Sequence, residues 1–134
     1  MFPAMSMLQI ADLRKILPGT PPRVLFDGLN LSVAAGECVA VVGESGSGKS
    51  TLLNCIAGLE AVDGGSIAVA GKRIEALDDD ARARMRREHF GFVFQACHAR
   101  PQLSVADNGA LPRWLLQVSE AEAKARAHAM LAHV

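Results

Sequence analysis

Apolar and polar residues alternate in two different ways along this chain, and the change comes near Pro112. Before it, short apolar runs are broken by glycine and proline. Pro18, Pro21 and Pro22 separate two N-terminal strands, and Gly64-Gly65 closes a helical stretch. One run, Glu37-Cys38-Val39-Ala40-Val41-Val42, is apolar at every position after its glutamate. A segment apolar on both faces predicts a buried strand in the middle of a parallel sheet, with neighbours on each side. Thr51-Leu52-Leu53-Asn54-Cys55-Ile56-Ala57 predicts the helix that follows. Past Pro112 the pattern becomes helical. Ser119-Glu120-Ala121-Glu122 has the form of a capping box, and Ala123 to Val134 is rich in alanine, the strongest helix former. Strands around one helix, followed by a helical end, predict an α/β fold.

Between the apolar run and the helix lies Gly43-Glu44-Ser45-Gly46-Ser47-Gly48-Lys49-Ser50-Thr51, which fits G-x-x-x-x-G-K-[ST], the Walker A phosphate loop. Glycines let the backbone take conformations closed to other residues and bring its N–H groups against phosphate oxygens. Lys49 opens the helix, so its ammonium and the positive helix end face the same anion. Ser50 is placed to ligate magnesium. The ligand class is therefore a nucleoside triphosphate held by Gly43, Glu44, Ser45, Gly46, Ser47, Gly48, Lys49, Ser50 and Thr51. The bland alternative is a glycine-rich turn that spells the pattern by accident, and the order strand, loop, helix argues against it.

Several further segments resemble the ATP-binding subunit of an ABC transporter, from about Leu8 to the last residue. Leu25-Phe26-Asp27-Gly28-Leu29-Asn30-Leu31-Ser32-Val33 with Gly36-Glu37 is similar to that family's opening strand and turn. Gly64-Gly65-Ser66-Ile67-Ala68-Val69-Ala70-Gly71-Lys72-Arg73-Ile74 is similar to its short β arm, and Arg86-Arg87-Glu88-His89-Phe90-Gly91-Phe92-Val93-Phe94-Gln95 to the segment ending in the Q-loop glutamine. Pro101-Gln102-Leu103-Ser104-Val105-Ala106-Asp107-Asn108 resembles the lipoprotein-releasing and macrolide-export branch.

The resemblance implies a P-loop NTPase fold, here the N-terminal part of an ABC-type nucleotide-binding domain with an incomplete sheet and the start of the helical subdomain. Residues from about 7 to 95 would form the strand-rich ATP-binding core, and those from about 96 to 134 the Q-loop exit and first part of the helical subdomain. It implies ATP and Mg2+ as ligands, with Ser50 and Gln95 on the metal and Gln95 positioning the attacking water. A neutral amide suits that task, since it accepts from water and ligates a cation without adding charge. The implied partners are a transmembrane permease subunit and a second ATP-binding subunit. The implied place is the cytoplasmic face of the inner membrane.

Two departures bear on activity. The family continues past the glutamine to an LSGGQ-type signature, a magnesium-binding aspartate with a catalytic glutamate, and a switch histidine. None of these occurs between Gln95 and Val134. Phosphoryl transfer is mostly positioning and charge stabilisation, so this chain alone is expected to be a poor ATPase, and a raw sheet edge would leave it prone to aggregate. The family also stacks adenine on an aromatic residue at a place near Leu17, and the chain has no tyrosine. Base stacking is worth roughly 1–3 kcal/mol, so affinity is expected to fall by that order unless another residue substitutes.

The leading reading is an ATPase part that would couple hydrolysis to export. A noncatalytic or inert nucleotide-binding fragment is the second, and a different P-loop enzyme such as a small-molecule kinase is the third, disfavoured by the β arm and Phe94-Gln95.

Composition narrows this only slightly. Half of the 134 residues are hydrophobic, enough for one domain's core, and 14 basic residues balance 14 acidic ones, so no global field points to nucleic acid. Arg82, Arg84, Arg86 and Arg87 follow Asp78-Asp79-Asp80, the order that complements a helix dipole, and predict a solvated helix face. Cys38, Cys55 and Cys97 are far apart and odd in number, which suits a reducing compartment, with Cys38 and Cys55 expected in the core. His89, His98, His128 and His133 have no metal-binding spacing. The first seven residues lack a signal-peptide pattern and no run approaches a membrane span, so a cytosolic place is expected.

Overall fold

The computed structural model describes residues 6–93 and 99–133. The chain forms two compact units, one running to Arg82 and the other starting at Ala83. The first holds β1 (Ser6–Leu17), β2 (Arg23–Ala34), α1 (Lys49–Ile56), β3 (Gly64–Val69) and β4 (Lys72–Arg73). Its sheet has the order β2-β1-β3-β4, and every pair is antiparallel. Prolines 18, 21 and 22 fall between β1 and β2, as punctuation requires. Ala70 and Gly71, both at positive φ (48° and 77°), make the two-residue turn from β3 to β4, the twist that a tight hairpin favours.

The central strand β1 carries a bulge that decides which of its side chains are buried. Ile10 pairs with Leu31 and Leu13 with Leu29, so three steps along β1 match two along β2, and the same extra residue appears against β3 between Ala11 and Arg14. Asp12 sits there at φ 48°, with its N–H donating to Asn30 Oδ1 at 3.0 Å and its carboxylate accepting from Asn30 Nδ2 at 3.2 Å. Without the bulge, strict alternation would put Leu13 and Lys15 on the face opposite Ile10. With it, Ile10, Leu13 and Lys15 are all buried.

Lys15 uses that position to hold the connection between α1 and β3. Its Nζ donates to Ala61 O at 2.7 Å and lies 3.0 Å from Glu60 Oε1. Two further bonds tie the same connection to the end of β1, from Asp63 N to Arg14 O (2.9 Å) and from Ile16 N to Asp63 Oδ2 (2.7 Å). Burial alone would lower the Lys15 pKa, but the hydrogen bond and charge of Glu60 outweigh it, and the net shift is upward. Beside it, burial first and then the Glu60 charge push the Cys55 thiol up, which keeps it protonated.

The run Cys38–Val42 departs from expectation. It follows β2 but joins no ladder among the described residues, and its side chains are exposed, Val42 at 87%. The described sheet ends in β2 on one side and β4 on the other, so no strand lies alongside this run to pair with it and bury its two faces. Cys38, expected in the core, is exposed, whereas Cys55 is buried as expected.

Helix α2 (Asp79–His89) has Asp79 and Asp80 in its first turn and Arg86, Arg87 and His89 in its last, the predicted dipole-matching order. Asp78 Oδ1 accepts from Ala81 N at its start. The second unit contains α3 (Val105–Trp114) and α4 (Glu120–Leu131). Ser119 is the N-cap of α4, its Oγ accepting from Glu122 N at 3.3 Å, which is the N-cap half of the predicted capping box. Buried Ala110, Ala123 and Ala127 form the contact between α3 and α4, and small side chains let the two backbones come close. Trp114 packs half-buried against this alanine cluster, with the Lys124 ammonium 5.9 Å from its ring centroid. Asn108 ties the segment before α3 together, accepting from Arg100 N and donating to Arg100 O, Leu103 O and Ser104 O.

Replacing Lys15 with alanine strands a partly buried carboxylate and a carbonyl, and is expected to cost about 1–3 kcal/mol in denaturant unfolding. Because the folded-state pKa is raised above the lysine value of about 10.4, this contribution is complete at neutral pH and lost as pH climbs past that value. A Lys15→Ala loss that persists unchanged at high pH would contradict this account. Peptide mapping after brief alkylation of the native chain should find Cys38 modified well before Cys55, and equal rates would place both thiols in similar surroundings.

A candidate phosphate-binding loop

The loop from Gly43 to Thr51 leads from the apolar run into α1 through two residues at left-handed φ, Gly46 (77°) and Gly48 (98°). Gly48, at φ 98° and ψ 10°, is the N-cap of α1, and no side chain caps the helix there. The first turn also contains no acidic residue. A helix start has N–H groups without intrahelical partners and carries partial positive charge, so this end suits an anion. The same Gly48 lets the loop lie against β2: a methyl group there would sit 3.2 Å from the Phe26 ring and 3.4 Å from Leu25 Cδ1.

Lys49 is folded over the loop. Its Nζ donates to Glu44 O at 2.7 Å, Gly43 O at 2.8 Å and Ser47 Oγ at 3.3 Å, while Ser47 N donates to Glu44 O at 3.2 Å. All three ammonium donors therefore point toward loop oxygens, which holds the charge at the centre of the turn. Ser50 is exposed in the first turn of the helix, and Thr51 is half-buried behind it. Leu52 and Cys55 are the buried face of α1 and seat it in the first unit.

The structure thus brings Gly43, Glu44, Ser45, Gly46, Ser47, Gly48, Lys49, Ser50 and Thr51 into one continuous loop and helix start. Gln95 lies outside the described residues, as do Cys97 and His98. Among the described residues no three His, Cys, Asp or Glu side chains gather as a metal cage. A magnesium ion here would fit the hard, exposed oxygen of Ser50 together with phosphate oxygens, the mixed coordination that this ion accepts.

Two contacts at the loop escaped sequence reasoning. Phe26 against Gly48 is one. The other is Arg23, the first residue of β2, whose Nη2 donates to Gly46 O at 3.0 Å. Nothing in local spacing links position 23 to position 46; the approach of the loop to the start of β2, where Gly48 meets Phe26, accompanies the contact.

The ABC transporter family pattern matches residues 26–134. The macrolide export ATP-binding/permease protein MacB of Burkholderia pseudomallei (strain 1710b) is 42% identical over 129 residues, covering 96% of this chain and 20% of that protein. The pyoverdine export ATP-binding/permease protein PvdT of Pseudomonas putida is 44% identical over 130 residues, with the same coverage. The chain spans about a fifth of the length of the curated relatives it matches. Among solved structures, the dimeric post-hydrolysis state of the ATP-binding cassette MJ0796 bound to ADP and Pi superposes with a TM-score of 0.85 at 32% identity, over 94% of this chain and 56% of that one. A second dimeric structure of MJ0796, a bacterial ABC transporter cassette, gives a TM-score of 0.81 at 32% identity, over 90% of this chain and 53% of that one.

Alanine at Gly48 must adopt a left-handed conformation, which costs about 1–2 kcal/mol, and must also displace the Phe26 ring. Alanine at Gly46, at φ 77°, meets no atom within 4 Å and bears the backbone strain alone. Denaturant unfolding should therefore rank Gly48→Ala as the more destabilising of the two; the reverse order would remove the Phe26 contact from the account.

Proposed function

This chain belongs to the ABC transporter family, and on that premise we propose that it binds ATP through the loop Gly43–Thr51 as the front part of an ATPase that drives export. The observation that carries this reading is the uncapped start of α1 with the Lys49 ammonium held over the loop beside it. Lys49 is bound there to neutral oxygens. Exchanging them for charged phosphate oxygens gives shorter and stronger hydrogen bonds, so a triphosphate is the favoured occupant. Backbone N–H groups of the loop and first turn would hold the β- and γ-phosphates, and Lys49 would offset their charge.

Magnesium, when bound, supplies Lewis-acid stabilisation of the phosphoryl oxygens. Ser50 would orient it, and Gln95 would complete its shell and position the attacking water. The core over about 7–95 would carry the nucleotide, and the portion from about 96 would begin the helical subdomain. The export-type names of the relatives support a role beside a transmembrane permease and a second ATP-binding unit, on the cytoplasmic face of the membrane. Among the described residues no helix is long and apolar enough to cross a membrane, which agrees with a permease part lying elsewhere.

Ligand at about 100 times its dissociation constant stabilises a binding-competent fold by about 2.7 kcal/mol. MgATP should raise the unfolding midpoint of the chain accordingly, and Lys49→Ala should abolish the shift. Equal shifts in both proteins would sink the phosphate-loop assignment.

A further inference from the structure

We propose that Arg23 is a second anion-binding cation of the phosphate loop, contacting phosphate oxygens of a bound triphosphate while bracing the loop through Gly46; this rests on the nucleotide-binding reading above. The placement comes from β2. Its first residue is Arg23, and three residues on, Phe26 packs against Gly48, so the start of this strand runs alongside the loop. The Arg23 guanidinium reaches Gly46 O at 3.0 Å, and Gly46 is itself one of the residues of the cradle.

Charge gives the reason for a second cation. Within Gly43–Thr51 the charged side chains are Glu44 and Lys49, which cancel, so the loop alone brings no net side-chain charge to a polyanion. Arg23 makes the balance +1. Lys49 has its three donors on loop oxygens, whereas Arg23 uses one of its five donors on Gly46 and pairs with no carboxylate among the described residues. The side chain is exposed, so its remaining donors are open beside the loop. A planar guanidinium with several donors in one plane matches two phosphate oxygens at once.

The bond to Gly46 O has a second effect. In a trans peptide the carbonyl of Gly46 and the N–H of Ser47 point in opposite directions, so gripping the first fixes the second. Arg23 thereby braces the Gly46–Ser47 peptide from one side while Glu44 O holds its N–H from the other, as well as adding charge.

The test measures binding of two probes, inorganic triphosphate and MgATP, by calorimetry at several salt concentrations, to the full chain and to Arg23→Lys, Arg23→Gln and Arg23→Ala. Thermal unfolding is recorded for each variant, and the near-isosteric glutamine and lysine variants carry the comparison if alanine fails to fold. We expect Arg23→Gln to weaken both probes by about tenfold and to flatten the salt dependence, and Arg23→Lys to stay within about threefold of the parent. Wild-type affinity in Arg23→Gln, which keeps a donor for Gly46 but not the charge, would overturn the assignment and leave only the brace. Weakening of MgATP with triphosphate unchanged would overturn it in favour of contact with the nucleoside. If the parent chain binds neither probe, the nucleotide-binding reading fails first and Arg23 with it; if the parent binds both and every variant matches it, only the Arg23 assignment fails.

Discussion

The N–H groups at the start of α1 have no capping side chain and no acidic neighbour in the first turn to satisfy them, and much of the first unit's arrangement follows from keeping that exposed helix end in place. With glycine at the N-cap the helix gives up only roughly a few tenths of a kcal/mol relative to a serine or aspartate cap. Eight residues are too few for a helix to stand on propensity, so tertiary contacts must hold it. Leu52 and Cys55 supply the buried face. Phe26 closes against Gly48 at one end, and the segment after the helix is tied down at the other.

That second attachment begins far from the loop, at a single extra residue in β1. The bulge at Asp12 reverses which side chains of the strand face inward, and so a lysine rather than an aspartate or arginine becomes buried at the sheet's inner face. Lys15 then bridges to Glu60 and Ala61, while Arg14 O accepts from the Asp63 N–H and the Ile16 N–H donates to the Asp63 carboxylate. Burying a lysine is costly unless its charge is paired and its donors are used, and here both conditions are met. The loop is thus held by contacts at both ends of a short helix, and it need not be rigid by itself.

The second unit uses a different device. Its two helices approach through Ala110, Ala123 and Ala127, with Trp114 covering one side and Ser104 and Ser119 capping the helix starts. Little apolar area is buried there, and the order of the segment before α3 comes from the amide of Asn108, which gathers four backbone groups.

What the sequence determined by itself is what local chemistry determines. The loop and helix start at Gly43–Thr51 were legible because glycine conformations, a lysine at a set distance and a helix start are all contained in nine consecutive residues. The cap of α4 was legible for the same reason, whereas the apolar run from Cys38 to Val42, expected as a buried central strand, is exposed and outside the described sheet. Tertiary structure decided the rest. Whether that run is paired depends on which strands lie beside it, and periodicity carries no record of neighbours; in this sheet it has none among the described residues. The bulge at Asp12 comes from a non-glycine residue in a left-handed conformation, held by Asn30 eighteen positions away. The burial of Lys15 follows from that bulge, and the contact of Arg23 with Gly46 from the loop lying against the start of β2. Each of these depends on two segments meeting, a fact that exists only once the chain has folded.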